Sequence, residues 1–209
     1  MKIYTLWLSL ICIALFILQL VIPGFTDALV LNQQSFSQPW RFLTSIFLHG
    51  SLAHLLYNLF ALVLFGLILE RLIGSNRFLI VFFASGIIAN LIAVNFYSSS
   101  LGASGAIFGV IGALTVIKPL MRVWAFSLPM PLFLASVLWT IGNILQTIFP
   151  SNIGTIAHLS GIIVGLIFGL VFRARYRKME QKKVSLFSGT IKIPESYMQD
   201  WENRYLKNH

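Results

Sequence analysis

Four side chains carry the chemistry of this chain: His54, Asn58, Ser104 and His158. Polar and ionisable groups within apolar stretches are costly and mark functional sites by default. His54 and Asn58 are four residues apart, so a helix sets them one turn apart on one face. Ser104 stands in Gly102-Ala103-Ser104-Gly105, and His158 in Ala157-His158-Leu159-Ser160-Gly161. Serine with histidine points to nucleophilic catalysis, because the imidazole takes the hydroxyl proton and makes a weak nucleophile competent. Acyl transfer also needs N–H donors for the oxyanion. The side chains of His54 and Asn58 and the backbone amide of Ser104 are candidates for that task. Gly102 and Gly105 remove bulk beside the hydroxyl and leave room for a substrate backbone.

Each residue also has a plainer reading. A lone buried histidine can bond a neighbouring carbonyl, and a serine among glycines can let helices approach. Zinc is a further rival, since His49 makes a third histidine. The five-residue step from His49 to His54 suits two ligands on one helix face poorly, and no HExxH occurs. Neither a metal nor any other cofactor is expected. A triad would need a carboxylate behind the histidine. Only Asp27 and Glu70 precede the tail. Glu70 is 16 residues beyond His54, about 24 Å along a helix. Asp27 is not ruled out by distance, but nothing brings it to His158. A Ser–His dyad is the expectation.

The elements that must position these residues follow from composition. The chain has 209 residues, 57% hydrophobic and 10% charged, where a soluble domain has roughly 25% charged. Only Lys2, Asp27, Arg41, Glu70, Arg71, Arg77, Lys118 and Arg122 carry charge before position 173. Eight charges in that length cannot clothe a soluble surface. A soluble enzyme, a disordered chain and a disulfide scaffold are excluded, the last because Cys12 is the single cysteine. The fold class is all-α: a polytopic membrane protein with six helical segments, near 4–22, 50–69, 77–96, 104–118, 132–149 and 155–173. Residues 1–173 form the membrane domain, and 174–209 a basic tail in which Trp201 and Tyr205 suit an interface. Six of the seven prolines (Pro23, Pro39, Pro119, Pro129, Pro131 and Pro150) fall between segments, as unbroken helices require.

The net charge of +9 does not point to nucleic acid. Its excess lies in Arg173, Arg175, Arg177, Lys178, Lys182 and Lys183, a basic flank that meets anionic headgroups of the bilayer. Lys2, Arg71, Arg77, Lys118 and Arg122 lie on the same set of segment ends as this flank and only Arg41 on the other, so both termini are expected in the cytoplasm, in the cell membrane of a prokaryote. The first segment is too long for a signal-peptide core and lacks a convincing cleavage site, so it is read as a retained helix. Segment 104–118 is about 21 Å long, too short to cross. The loop before it must therefore dip inward from outside, where irregular backbone requires a protein wall or a watery cavity. His54, Ser104 and His158 then share the external end.

Two stripes of small residues accompany them. Gly105, Gly109 and Ala113 mark the fourth helix, and Gly161, Gly165 and Gly169 the sixth, a pattern that lets backbones approach. Phe108, one turn beyond Ser104, is placed to pack on the His158 ring. With Trp40-Arg41, the His49–His54–Asn58 spacing, Gly102-Ala103-Ser104-Gly105 and His158 with Gly161 and Gly165 in this order, residues 1–173 resemble the rhomboid family of intramembrane serine proteases.

The resemblance implies a six-helix rhomboid bundle with Ser104 as nucleophile and His158 as general base. It implies His54, Asn58 and the Ser104 amide as oxyanion site, His49 as structural, and Trp40 and Arg41 in a membrane-embedded first loop. Some relatives carry tyrosine where Phe108 stands. The implied substrates are transmembrane segments of other proteins, cleaved where they unwind near the external face and admitted past the fifth helix or the first loop. An idle family member that binds membrane clients is the alternative; such proteins usually lack the serine or the histidine.

Overall fold

Six apolar helices and a structured first loop make up the computed structural model, which describes residues 3–148, 154–187 and positions 195, 196 and 199. Helix α1 spans Tyr4–Val21. The second apolar run is built from α4 (Leu52–Ala61), a π-helical turn (Leu62–Gly66) and α5 (Leu67–Ile73). Helices α6 (Ser75–Ala93), α7 (Ser104–Ile117), α8 (Leu132–Ile148) and α9 (Thr155–Phe187) follow. Tyr4–Val21, Leu52–Ile73, Ser75–Ala93 and Thr155–Ala174 are long and apolar enough to cross a membrane, while α7 and α8 are apolar but shorter. One compact unit comprises Met1–Tyr176, and Arg177–His209 form a second.

Local chemistry explains where the helix ends differ from the expected ones. The second segment runs 52–73 instead of 50–69. The Ser51 hydroxyl accepts the His54 amide at 3.1 Å and caps its start. Gly74, at φ +87°, stops it in a conformation few other residues adopt. The expected end of the sixth segment at 173 is passed by α9, whose backbone stays helical to Phe187. Arg, Lys, Glu and Gln are good helix formers, and neither glycine nor proline interrupts them there. Phe149, Pro150, Trp201 and Tyr205 lie outside the described residues.

The first loop holds short helices α2 (Phe25–Leu29) and α3 (Arg41–Thr44) and strand β1 (Leu31–Asn32). Strand β1 pairs antiparallel with β2 (Ser99–Ser100), Leu31 opposite Ser100 and Asn32 opposite Ser99. The first loop is thereby joined to the loop that leads into Ser104. The proline-rich stretch before α8 forms a hairpin of β3 (Arg122–Ala125) and β4 (Leu128–Pro131). Its two turn residues, Phe126 and Ser127, have φ of 52° and 63°, as tight hairpin turns demand.

Helix α7 is the central element. It is apolar all round and buried from Gly105 to Ile107 and from Gly109 to Leu114, the pattern of a helix surrounded by others. The two small-residue stripes face each other. A Cβ on Gly161 would overlap the Gly105 carbonyl, one on Gly165 the Gly109 carbonyl, and one on Gly169 would lie 2.9 Å from the Ala113 carbonyl. Helices α7 and α9 therefore touch backbone to backbone.

A buried carboxylate holds the start of α1. Glu70 on α5 accepts the Tyr4 amide at 2.8 Å, the Thr5 amide at 3.0 Å and the Thr5 hydroxyl at 2.7 Å. These amides have no partner within their own helix, and a negative charge suits a helix N-terminus.

Candidate active site

Helices α4, α7 and α9 all begin at the same end of the bundle, and their first turns supply the site. Ser104 is the first residue of α7 and His158 lies in the first turn of α9. The α7–α9 backbone contact brings the Ser104 Oγ within 2.8 Å of His158 Nε2. Phe108 stacks on the imidazole with ring centroids 4.5 Å apart and planes 19° from parallel. The start of α9 is itself secured by Tyr97, whose hydroxyl accepts the Ile156 amide at 3.1 Å and meets the Thr155 hydroxyl at 3.3 Å.

His158 Nδ1 faces the Asn143 Oδ1 of α8 at 2.8 Å. Asn143 was not legible as a site residue in the sequence. It lies 15 residues from His158, in a segment that also contains Ser136, Thr140, Gln146 and Thr147, so no spacing singled it out. The general cost of an amide in an apolar helix was the available signal. Asp27 stands elsewhere: its backbone carbonyl accepts Arg41 Nη1 at 2.7 Å.

His54 stands over Gly102. Gly102 has φ +126°, and a Cβ there would lie 2.8 Å from His54 Cε1 and 2.9 Å from its Nε2. The glycine is needed both for its backbone and for the space the ring fills. The Gly102 amide donates to the Ser45 carbonyl at 2.9 Å, and the Ser45 hydroxyl receives Asn90 Nδ2 at 3.0 Å. His54 Nδ1 accepts the Gly50 amide at 3.4 Å. In the neutral ring the proton then resides on Nε2, on the Gly102 side. The Ser104 amide belongs to the first turn of α7, where N–H groups lack partners within the helix.

Asn58 and Gly105 also have partners within the bundle. Asn58 Nδ2 donates one of its two N–H groups to the His54 carbonyl at 2.8 Å, which fixes the direction of the amide on α4. Its buried Oδ1 has no hydrogen-bond partner among the described residues. The space beside Gly105 is already filled: a Cβ there would lie 2.9 Å from Ala89 Cβ and 3.5 Å from the Ala157 carbonyl. Its small size serves helix packing.

Arg41 is buried and organises the first loop. Its Nη1 donates to the carbonyls of Asp27 and Val30 at 2.7 and 2.8 Å, and its Nε to Gln38 Oε1 at 2.6 Å. Its neighbour Trp40 is half exposed, at 51%. His49 is tied to α1, because Gln19 receives its amide at 3.0 Å and donates to its carbonyl at 3.2 Å. Burial, with a smaller contribution from His54, pushes the His49 imidazole down to about 4. The unfolded chain therefore takes up this proton first as pH falls. Stability from this residue is complete above about pH 6.5 and is lost between 6.5 and 4, by about 3 kcal/mol. Thermal unfolding in detergent should show that fall, with a shallower slope in His49→Gln.

A family model described as the rhomboid domain matches residues 37–175. The chain is 30% identical over 168 residues to the rhomboid protease GlpG of Yersinia pseudotuberculosis serotype I (strain IP32953), covering 78% of this chain and 60% of that one. The GlpG of Yersinia pestis (strain Pestoides F) matches to the same extent. The rhomboid protease GluP of Bacillus subtilis (strain 168) is 49% identical over 76 residues, 36% of this chain and 15% of its own. The chain thus spans about three fifths of the length of the GlpG relatives.

Proposed function

Because this chain belongs to the rhomboid family of integral multi-pass membrane proteins, we propose that it is an intramembrane serine endopeptidase acting through Ser104 and His158. The 2.8 Å contact between Ser104 Oγ and His158 Nε2 carries this reading. In the acylation step the hydroxyl proton passes to His158 Nε2 as Oγ bonds to the scissile carbonyl carbon. The resulting oxyanion receives the Ser104 amide at the α7 N-terminus and the His54 Nε2–H. The peptide C–N bond then breaks, and the leaving amine takes the proton from His158. Water, deprotonated by the same imidazole, attacks the ester and releases the acid, returning the proton to Ser104.

The substrate in this proposal is a transmembrane segment of another protein. Its carbonyls are held in helical hydrogen bonds, so cleavage requires a stretch that unwinds near the external face. The protein would sit in a prokaryotic cell membrane with both termini in the cytoplasm; the cationic residues at the segment ends support that orientation. Helix α8 or the first loop would let the substrate in from the lipid.

The test is reconstitution of the purified chain in liposomes with a single-span reporter, the products being mapped by mass spectrometry. One cut near the outer end of the span, together with fluorophosphonate labelling of Ser104, is expected. A reporter that binds and stays intact, with Ser104 unlabelled, would replace this reading by client binding.

A further inference from the structure

Resting on the protease reading, we propose that Asn143 is a positioning residue that fixes the tautomer and the orientation of His158. Asn143 Nδ2 donates to the Trp139 carbonyl one turn earlier in α8, at 2.8 Å, and this sets which way the buried amide faces. Its Oδ1 is thereby the atom turned to His158 Nδ1, at 2.8 Å. A carbonyl oxygen only accepts, so Nδ1 must carry the imidazole proton. The lone pair is then on Nε2, where the Ser104 hydroxyl lies at 2.8 Å. Phe108, stacked at 4.5 Å, restrains tilting of the ring, and Asn143 restrains rotation within its plane. Orienting a base through a third group is the logic of Ser–His–Asp and Cys–His–Asn sites.

Ser104, His158 and Asn143 come from three different helices: α7, α9 and α8. Alignment of the base therefore depends on where α8 stands as well as on the α7–α9 contact. The neutral amide gives this dependence a particular character. It selects a tautomer without placing a negative charge behind the ring.

Asn143→Ala and Asn143→Leu are expected to lower kcat for reporter cleavage in liposomes about 10- to 100-fold with KM within about twofold. Asn143→Asp, which keeps an acceptor at Nδ1, is expected to retain kcat within about tenfold of wild type. A purely structural role would not move the tautomer, which ¹⁵N-histidine spectra report. The resonance absent from His158→Gln should show a protonated Nδ1 in wild type and Asn143→Asp, and a mixture in Asn143→Ala. Wild-type kcat with an unchanged spectrum in Asn143→Ala or Asn143→Leu would overturn the proposal. If those two variants fail to fold, a folded Asn143→Asp decides. Retained cleavage with the Nδ1–H signature supports the assignment, and loss of either overturns it. Cleavage by Ser104→Ala equal to wild type would instead sink the protease reading, which the spectra do not depend on.

Discussion

Replacement of Ser104 by alanine should abolish reporter cleavage, a loss of at least about 10⁴-fold in kcat. His158→Ala should match it, and the double variant should be no worse than either single one. That non-additivity is the diagnostic result. Members of a catalytic unit act in one step, so removing the second adds nothing once the first is gone. The side chains are 2.8 Å apart, and Ser104→Ala removes only a hydroxyl, so that variant should keep its thermal unfolding profile. Fluorophosphonate labelling should vanish in Ser104→Ala and nearly so in His158→Ala. Cleavage by all three variants at the wild-type rate would remove the dyad from consideration.

Gly165→Val should be the most damaging substitution outside the site. A side chain there would drive into the Gly109 carbonyl, and backbone has no rotamer with which to withdraw. The helices must part or α9 must rotate, and Ser104 and His158 sit on opposite sides of that seam. Overpacking of a tight contact typically costs 1–3 kcal/mol, and a shift of about 1 Å can lower the rate about 10²-fold. Gly165→Val is therefore expected to melt earlier in detergent and to lose at least about 99% of its cleavage rate, with fluorophosphonate labelling reduced in parallel. Gly142, with nothing within 4 Å of its added Cβ, is the control position: Gly142→Ala should leave both readouts near wild type.

The helical bundle was legible because a bilayer demands apolar length and penalises proline within it. The facing of α7 and α9 was legible too, since glycines at every fourth residue have few other uses in an apolar helix. Ser104 and His158, 54 positions apart, were conspicuous against a background with almost no polar groups. Asn143 escaped because its role is defined by a neighbour on another helix, and periodicity within α8 does not encode it. The same reason hid Gln19, which grips His49 across 30 positions, and the pairing of β1 with β2, whose strands have two residues each. The β3–β4 hairpin was masked by Pro129 and Pro131. They are tolerated because a two-stranded ribbon is all edge.

The grip of Glu70 on Tyr4 and Thr5 has a consequence for biosynthesis. The two partners are 66 and 65 positions away from the carboxylate, so the ribosome makes the amides long before it makes their acceptor. Through that interval those amides must take other partners such as water, and nothing from α5 is there to dock on. The bonds that hold its start can form only once α5 has emerged beside it. Helix α1 is thus made before α5, yet the hydrogen bonds that hold its start wait for α5.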